Sequence, residues 1–356
     1  MLPHIRVLET AGILAGPSVG MFFAELGAQV TKVENQRTGG DATRRWKLPE
    51  EEPDSMVSAY FSSVNWGKEH VLLDLTTPAG RARFDDLVRS TDVLITNHLP
   101  DDAEKLGLQR DRLRTINPTL VHGHIRGYVA SDRPAFDVVL QAESGYISMT
   151  GTGPEHPAKL PIAMIDVLAA HQLKEGLLLA LWERDRDGIG AYVEVSLEEA
   201  ALTGLINQAS NYLMTGHVPG PLGTLHPNIA PYGELFHCAD GGTLVLAVGS
   251  DAQFKALCDV LELPLLASDP RFLTNADRVA HRPALNSSLV PAISGRDLGA
   301  LMHALMRAGV PAGEVRSMDN VMRTPVARRM TLESSIDGVP TRRISGNAFR
   351  IERDQG

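Results

Sequence analysis

Hydrophobic and polar positions along the first part of the chain follow two alternating periods. Short apolar runs predict strands at 5–9, 29–34, 65–75, 92–97 and within 118–128. Apolar positions at helical spacing follow these runs, beginning at Pro17, at 77–80 and at 136. Strands and helices therefore alternate at steady intervals, and this order predicts an α/β fold with a parallel, doubly wound sheet.

The most extended helical pattern covers 161–182, PIAMIDVLAAHQLKEGLLLALW. Leu173, Leu177 and Leu181 recur at helical spacing, which predicts a helix of about five turns. Asp166 stands in an apolar run at the start of this helix. An acid in that position is usually an N-cap, but a partly buried carboxylate that the helix dipole keeps ionised is also a workable nucleophile. Both roles stay open for Asp166 on the residues alone.

The pattern changes in the second half of the chain. Residues 197–216 predict one long helix, whereas 220–233 is too rich in Pro and Gly for regular structure. A β-hairpin is predicted with its turn at 240–242, and a loop at 309–315 leads into a further strand. This order of elements predicts a smaller α/β unit.

The length of the chain indicates two domains. At 356 residues it exceeds one typical hydrophobic core. We expect a large domain at 1–204, to which the segment 326–356 returns, and a small α/β domain at 205–325.

Composition and charge narrow the function. Hydrophobic content of 43% and charged content of 22% are those of an ordinary globular protein, and the net charge of −9 argues against a nucleic-acid or anionic-membrane binder. Apolar runs stay below the roughly 18 residues of a membrane span, and the first residues lack a signal-peptide pattern. Cys238 and Cys258 do not form a disulfide framework. We expect a cytoplasmic protein that does not bind membranes or nucleic acid.

Candidate anion-binding groups lie at the ends of the predicted strands. The turn AGILAGP feeds a helix N-terminus, a natural anion site, but Gly12, Gly16 and Gly20 do not have the GxGxxG spacing of dinucleotide-binding folds. The acid Glu34 at the end of the second strand is a weak sign of such a fold. A basic loop follows and is either a phosphate clamp or a solvated surface; its cations are Arg37, Arg44, Arg45 and Lys47.

Other common chemistries lack their motifs. His122 and His124 stand two residues apart without further ligands at metal-site spacing, so no metal is expected. A GxSxG elbow and a P-loop are also missing from the sequence, which argues against a serine hydrolase and an NTPase.

An ordered series of segments resembles the family III CoA-transferases, the CaiB/BaiF family. The similar segments are ILAGPSVGMFFAELGAQVTKVE, GGDATR, NWGKEHVLLDLTTPAGRARFDDLV, DVLITNHLPDDAEKLGL, HPNIAPYGELF and AGVPAGEV. They run in the family's order from about residue 5 to residue 328. Such a series is far more specific than any one motif.

The resemblance implies a fold and a reaction. The fold would be a large domain with a Rossmann-like parallel sheet plus a smaller α/β domain, in an interlocked homodimer. The catalytic residue would be Asp166, which would attack an acyl-CoA thioester and pass CoA to a free carboxylic acid by way of anhydride and aspartyl-CoA intermediates. Coenzyme A would enter as the acyl-CoA substrate, with no metal. The implied CoA-binding residues are Gly12, Ile13, Leu14, Ala15, Arg37, Lys68, Asn97, Lys105, Arg126 and Tyr128.

Two alternatives remain within the same family. α-Methylacyl-CoA racemases carry a His–Asp pair where this chain has Phe136 and Asp137, and a phenylalanine cannot move a proton. Asp137 is therefore expected to be a cap or a hydrogen-bond acceptor. The second alternative is a non-catalytic CoA-binding homologue.

Overall fold

The chain divides into two compact units. The structure is a computed structural model that describes residues 1–352. The first unit comprises Met1–Tyr146, Lys159–Val218 and the segment from Pro325 onward, and the second comprises Ile147–Ala158 and Pro219–Thr324. Compared with the predicted boundaries, 205–218 belongs to the first unit and 147–158 to the second. The assignment of these units as separate domains stays a prediction.

A parallel six-stranded sheet forms the centre of the first unit within residues 1–352. Its strands are β1 (Arg6–Glu9), β2 (Gln29–Asn35), β3 (Lys68–Leu73), β4 (Val93–Thr96), β5 (Val121–Arg126) and β6 (Tyr192–Ser196). Their order is β3-β2-β1-β4-β5-β6, so the direction of winding reverses between β1 and β4. The predicted parallel α/β sheet is confirmed, and ligands of such sheets bind where the winding reverses, at the carboxyl ends of the strands.

Helices cover both faces of this sheet. Those of the first unit up to residue 218 are α1 (Ala15–Glu25), α2 (Ala59–Asn65), α3 (Pro78–Arg89), α4 (Pro100–Leu106), α5 (Arg110–Ile116), α6 (Asp137–Glu143), α8 (Met164–Asp187), α9 (Leu197–Thr203) and α10 (Ile206–Thr215); α7 (Tyr146–Met149) lies where the two units join in sequence. One apolar cluster joins α1 and α8 to the sheet, and its buried members include Val19, Ile95 and Leu173. Another cluster joins α3 and α5 to the opposite face, and its buried members include Phe84, Leu94 and Leu113. Because both faces are covered, β4 is buried along its whole length and reads as a continuous apolar run.

Two helix predictions need correction. The pattern over 197–216 is two helices, α9 and α10, because Gly204 ends the first and Ile206 takes a positive φ of 40°. The helix predicted over 161–182 is α8, which has 24 residues and ends where Gly188 adopts the left-handed conformation. Within the described residues, no helix combines the length and the apolar character needed to cross a membrane.

The second unit is a small antiparallel sheet packed against helices. Its strands are β7 (Tyr232–His237), β8 (Thr243–Ala247) and β9 (Ala312–Glu314). Its helices are α11 (Asp251–Leu261), α12 (Pro264–Ala267), α13 (Asn275–Ala280), α14 (Arg282–Ser294), α15 (Leu298–Arg307) and α16 (Met318–Met322). The predicted hairpin between β7 and β8 is confirmed, with β9 pairing to β8. Phe236, Leu257 and Leu289 belong to its apolar core.

The C-terminal segment returns to the first unit. It forms α17 (Pro325–Met330) and an antiparallel hairpin of β10 (Thr331–Ile336) and β11 (Val339–Ile344). Arg343 and Ser345 both bind the carboxylate of Glu25 at the end of α1. The charged contacts explain why a basic segment lies against the first unit.

Candidate active site

The turn after β1 is held from two sides. The Asn97 side chain accepts a hydrogen bond from the Gly12 N–H at 3.1 Å and donates one to the Gly12 carbonyl at 3.0 Å. The Asp41 carboxylate accepts from the Ile13 N–H at 3.2 Å. Ile13 has a φ of 72°, a left-handed conformation that costs a residue with a Cβ about 1–2 kcal/mol. These contacts fix the turn from which α1 begins at Ala15.

A buried ion network lies beneath that turn. The Lys32 ammonium is 2.9 Å from Glu9 and 3.2 Å from Asp41, and it donates to the Ala11 carbonyl at 2.7 Å. The Lys68 ammonium is 2.8 Å from Glu9 and also donates to the Pro17 carbonyl and to the Asn65 side chain. The Lys68 side chain is therefore fully buried and its donors are occupied. This lysine therefore supports the turn from inside, and its contact with CoA stays a prediction.

The basic loop is also largely committed to structure. Arg44 makes a two-point contact with Glu34, at 2.6 and 2.8 Å, and is buried. Arg45 donates to the Thr38 carbonyl, and Lys47 donates to the Glu52 carbonyl. This pairing also occupies Glu34, the acid that a dinucleotide-binding fold would present to a ribose. Of the four cations in this loop, Arg37 and Arg45 are exposed, and Arg45 is held by its bond to the Thr38 carbonyl.

Asp166 lies in the first turn of the long helix α8, with the side chain buried at 7% exposure. The residue at the N-cap is Ala163, so the predicted N-cap role of Asp166 is wrong. The capping acceptor comes from another helix. Asp137 Oδ1 accepts from the Ile165 N–H at 2.7 Å and from the Asp166 N–H at 3.4 Å. Asp137 is thus an acceptor, as expected from the sequence.

Burial and the neighbouring carboxylate change the acidity of Asp166. Removal from water, and then the negative charge of Asp137, raise its pKa to about 7. From its place in the sequence, we expect the helix dipole to keep this carboxylate ionised. That expectation is wrong because the nearest first-turn N–H groups bind Asp137 instead.

A pH dependence follows from this acidity. The family resemblance implies Asp166 as the nucleophile, and only an ionised carboxylate can attack, so on that hypothesis activity should be lost as the pH falls through about 7 and level off above it. We expect a single acid limb in kcat/KM for the acyl-CoA with its midpoint near that pH. Initial rates from pH 5.5 to 9, in buffers of constant ionic strength, measure it. A midpoint near 4 would show that Asp166 titrates like an exposed acid.

Two adjoining cavities open at the carboxyl ends of the strands. The first has a volume of about 540 Å³ and contains Asp166, and the second has a volume of about 490 Å³. Both are lined by Gly12, Ile13, Asn97 and His98, so they meet at the turn that Asn97 clamps. This places the candidate nucleophile in one arm of a continuous cleft.

Most of the predicted binding residues line this cleft. The first cavity includes Gly12, Ile13, Leu14, Ala15, Asn97 and Arg126, and the second includes Lys105. Within residues 1–352, Arg37, Lys68 and Tyr128 lie outside both linings. Tyr128 is buried under the Arg133 guanidinium and donates its hydroxyl hydrogen to Glu143 at 2.9 Å, and its contact with CoA stays a prediction.

Sequence reasoning missed one aromatic neighbour of the carboxylate. Burial, and then the charges of Asp166, Asp137 and Asp41, raise the pKa of Tyr60 to about 12. Its ring also meets Trp46 edge-to-face, with centroids 5.1 Å apart. Tyr60 belongs to the short helix α2, and its residue type and spacing carry no signal of this proximity.

Neutral histidines line another part of the first cavity. The Thr96 hydroxyl lies 2.9 Å from His122 Nε2 and 2.8 Å from His124 Nδ1. Burial lowers the pKa of His122 to about 3 and that of His124 to about 4, so both are uncharged near neutral pH. The part of the chain that the structure describes contains no group of three or more His, Cys, Asp or Glu side chains arranged to hold a metal ion.

The fold and the site together define a class of protein. A doubly wound sheet with a buried carboxylate and fixed backbone groups over a cleft is the arrangement of an α/β enzyme that handles a nucleotide-sized ligand. Residues 2–355 match the model of CoA-transferase family III, and the chain belongs to that family. It is a CoA-transferase, and proteins of this kind act on CoA thioesters and carboxylates. The resemblance noted in the sequence is confirmed.

Characterised relatives and a solved structure agree with this assignment. A succinate–glutarate CoA-transferase of Agrobacterium fabrum is 36% identical over 99% of this chain and 91% of its own length. An acetyl-CoA:oxalate CoA-transferase of Acetobacter aceti is 32% identical, over 93% of this chain and 85% of its own length. The crystal structure of a CaiB/BaiF family protein from Brucella suis superposes with a TM-score of 0.84 at 34% identity, covering 98% of this chain and 91% of that one.

Proposed function

We propose that the protein transfers CoA from an acyl-CoA to a free carboxylic acid with Asp166 as the nucleophile. The Asp166 carboxylate attacks the thioester carbonyl, the C–S bond breaks, and CoA thiolate leaves behind a mixed anhydride. The thiolate then attacks the aspartyl carbonyl and releases the first acid, which leaves an aspartyl-CoA thioester. The carboxylate of the acceptor acid attacks that thioester, the C–S bond breaks with release of CoA thiolate, and a second anhydride forms between Asp166 and the acceptor. Attack by the thiolate on the acceptor's acyl carbon gives the new acyl-CoA and regenerates Asp166.

The observation that carries this proposal is the placement of Asp166. Its carboxylate is buried at the first turn of α8, and it lines a cavity that continues past the Gly12–Asn97 clamp into a second one. The buried setting suits anhydride chemistry, because an anhydride must be kept from water. A carboxylate is both nucleophile and leaving group, so the cycle needs neither a histidine base nor ATP.

The fixed turn supplies groups for charge developing on the reacting carbonyl. Helix α1 begins at Ala15, and the first N–H groups of a helix lack intrahelical partners. Leu14 and Ala15 line the same cavity as Asp166, so their backbone N–H groups are the proposed oxyanion donors. CoA thiolate held in this cleft would have an effective concentration of about 10⁵ M or more, which favours its return over escape.

The nucleotide end of CoA is assigned to the second cavity. Lys105 lines this cavity and is the proposed partner of a CoA phosphate, while Arg126 at the end of β5 serves the first cavity. The Lys105 ammonium is exposed and lies 3.5 Å from Asp102, a long contact that a phosphate can displace. Asp74 lines the second cavity and interacts electrostatically with the exposed Arg37. Arg37 therefore adds positive potential near that cavity.

A lysine variant tests this assignment. Lys105→Ala should raise the Kd for CoA about tenfold, because one charge-assisted contact to phosphate is lost. The difference from the wild type should shrink at high salt. Titration calorimetry measures both, with Lys255→Ala as the control for the lost charge, since Lys255 is exposed in the second unit. Equal affinities for the two variants would remove Lys105 from the site.

The acceptor acid is proposed to be a short dicarboxylic acid. This rests on the relatives above, whose names specify succinate, glutarate and oxalate. A panel of acceptors tests it by comparing glutaric acid with pentanoic acid, which has the same chain length and one carboxylate fewer. Preference for the monocarboxylic acid would refute the substrate class without affecting the aspartyl mechanism.

The covalent intermediate can be trapped directly. Hydroxylamine added to enzyme with acyl-CoA, in the absence of acceptor, should convert Asp166 to a hydroxamate that peptide mass spectrometry locates. Borohydride should reduce the aspartyl-CoA thioester at the same residue. Labelling at another residue would refute the proposed nucleophile, and exchange of the α-proton for deuterium without acceptor would instead support the racemase alternative.

A homodimer is proposed as the working form. Leu179 and Trp182 on α8 are 63% and 60% exposed, and Leu213 and Met214 on α10 are 78% and 83% exposed. Apolar side chains of this size are seldom left in water and mark an interface. Light scattering coupled to size exclusion tests the dimer. The interlocked arrangement and the cytoplasmic location stay predictions.

A further inference from the structure

The short helix α6 braces the first turn of α8 through two side chains that stand one turn apart. Asp137 Oδ1 accepts from the Ile165 N–H at 2.7 Å. Gln141, which is fully buried, accepts from the Leu160 N–H at 2.8 Å and donates to Asp137 Oδ2 at 2.5 Å. The segment leading into α8 and the helix start are therefore tied to one rigid element.

These contacts of Asp137 change the hydrogen-bond donors and the charge next to the Asp166 carboxylate. The methyl side chain of Ala163 at the N-cap offers no acceptor, so Asp137 takes the N–H groups of Ile165 and Asp166. Those groups would otherwise be free to stabilise an anion at the helix start. Asp137 and Asp166 also line the same cavity, with two acids side by side.

The other charged and titratable groups around Asp166 are balanced or neutral. Tyr60 on α2 carries no charge near neutral pH, since its pKa is raised to about 12. Asp41 is paired with Lys32, and Arg126, across the cavity, is paired with Asp132 and Glu194. His98 and His124 line the cavity as neutral rings, because burial lowers the pKa of each. Asp137 is therefore the charge that most affects Asp166.

We propose that Asp137 is a positioning residue of the transferase: by accepting from the Ile165 and Asp166 N–H groups it fixes the first turn of α8, and it sets a second carboxylate beside Asp166 in the same cavity. This rests on the proposed function of Asp166 as nucleophile. A more basic carboxylate attacks a thioester carbonyl faster when it is ionised. A more basic Asp166 is also protonated to a larger extent below neutral pH. Because the protonated form cannot attack, the rate then depends on pH.

Two substitutions separate the hydrogen bond from the charge. Asp137→Asn keeps an oxygen that can accept from the Ile165 N–H but removes the negative charge. We expect its acid limb in kcat/KM to move down by about one pH unit, with a threefold to tenfold lower rate, roughly, on the alkaline plateau. Asp137→Ala removes both the cap and the charge, and we expect kcat to fall about 100-fold while the Kd for CoA stays within about twofold.

A third variant tests the brace without changing charge. Gln141→Ala frees Asp137 and the Leu160 N–H, so kcat should fall while the midpoint of the acid limb stays in place. Glu183→Gln is the matched control for the lost charge in Asp137→Asn, because it removes one exposed carboxylate near the other end of α8. Its rate and pH profile should equal those of the wild type.

The outcomes are distinguishable. If Asp137→Asn has the wild-type acid limb and plateau, Asp137 does not tune the nucleophile and the proposal is overturned. Should Asp137→Ala fail to fold, Asp137→Asn alone decides, because it retains the capping acceptor. If Asp166 itself can be replaced without loss of transfer, the proposed function fails and the role proposed for Asp137 is overturned with it, whereas a wild-type profile of Asp137→Asn with an inactive Asp166→Ala overturns the Asp137 proposal alone.

Discussion

Asp166→Asn is expected to reduce CoA transfer by about 10³-fold to 10⁴-fold or more, the scale at which loss of a nucleophile is usually measured. The amide has nearly the shape of the carboxylate but cannot form the anhydride. CoA affinity should stay close to that of the wild type, because the carboxylate is not among the groups proposed to hold the nucleotide. Steady-state rates with saturating acyl-CoA and acceptor, together with calorimetry for CoA, measure the two quantities separately.

The same substitution should not weaken the fold at pH 8. The folded-state pKa of Asp166 is raised to about 7, above the unfolded value of about 3.9, so ionisation in the folded protein costs stability. This cost is absent at a pH below the pKa of Asp166 in the unfolded protein, and it is fully present at a pH above its pKa in the folded protein. Removing the acid should therefore leave the unfolding temperature at pH 8 equal or higher, which is the pattern of a functional residue that the fold tolerates at a cost.

Asp166→Ala provides the second variant for this test. It also lacks the nucleophile, and unlike asparagine it cannot revert to the acid by deamidation. Transfer at the wild-type rate by the alanine variant would rule out the aspartyl intermediates. Loss of transfer together with loss of CoA binding would instead indicate that the cleft had collapsed.

The sequence predicted the elements that local patterns encode. The parallel α/β sheet followed from alternating periods, and the burial of Asp166 followed from the apolar residues on both sides of it. Family membership followed from the order of several segments. These features depend on residues that are close together in the chain.

Features that depend on distant partners were missed. The cap of α8 comes from Asp137, which is 28 residues before Ile165, so the local pattern offered only Asp166 as a capping acid and left that role open beside the nucleophile role. Lys68 is 59 residues from Glu9, and a lysine in a matching motif gives no sign of whether it faces a ligand or a buried carboxylate. The break at Gly204 was hidden because apolar spacing continues on both sides of it.

The second large effect is expected in stability, at the network under the Gly12–Ala15 turn. Glu9 is completely buried between Lys32 and Lys68, and Asp41 completes a group of two acids and two ammonium ions. Glu9→Gln leaves two buried cations facing one anion. We expect the free energy of unfolding to fall by about 3–5 kcal/mol, the usual cost of removing one partner from a buried ion pair.

Urea denaturation measures this loss, and the chain offers a matched control. Glu69→Gln makes the same chemical change at an exposed position of β3, next to Lys68, and should stay within about 0.5 kcal/mol of the wild type. The double variant Glu9→Gln, Lys68→Met removes one charge of each sign. It should recover part of the loss, because a charge-balanced interior avoids the unpaired ammonium.

The network also links stability to activity. Lys32 holds the Ala11 carbonyl and Asp41, and Asp41 in turn holds the Ile13 N–H. Loss of Glu9 should therefore loosen the turn whose N–H groups are proposed to face the reacting carbonyl, so kcat should fall even where the protein is fully folded. If Glu9→Gln unfolds at the same urea concentration as Glu69→Gln and keeps the wild-type kcat, the network neither stabilises the fold nor positions the turn.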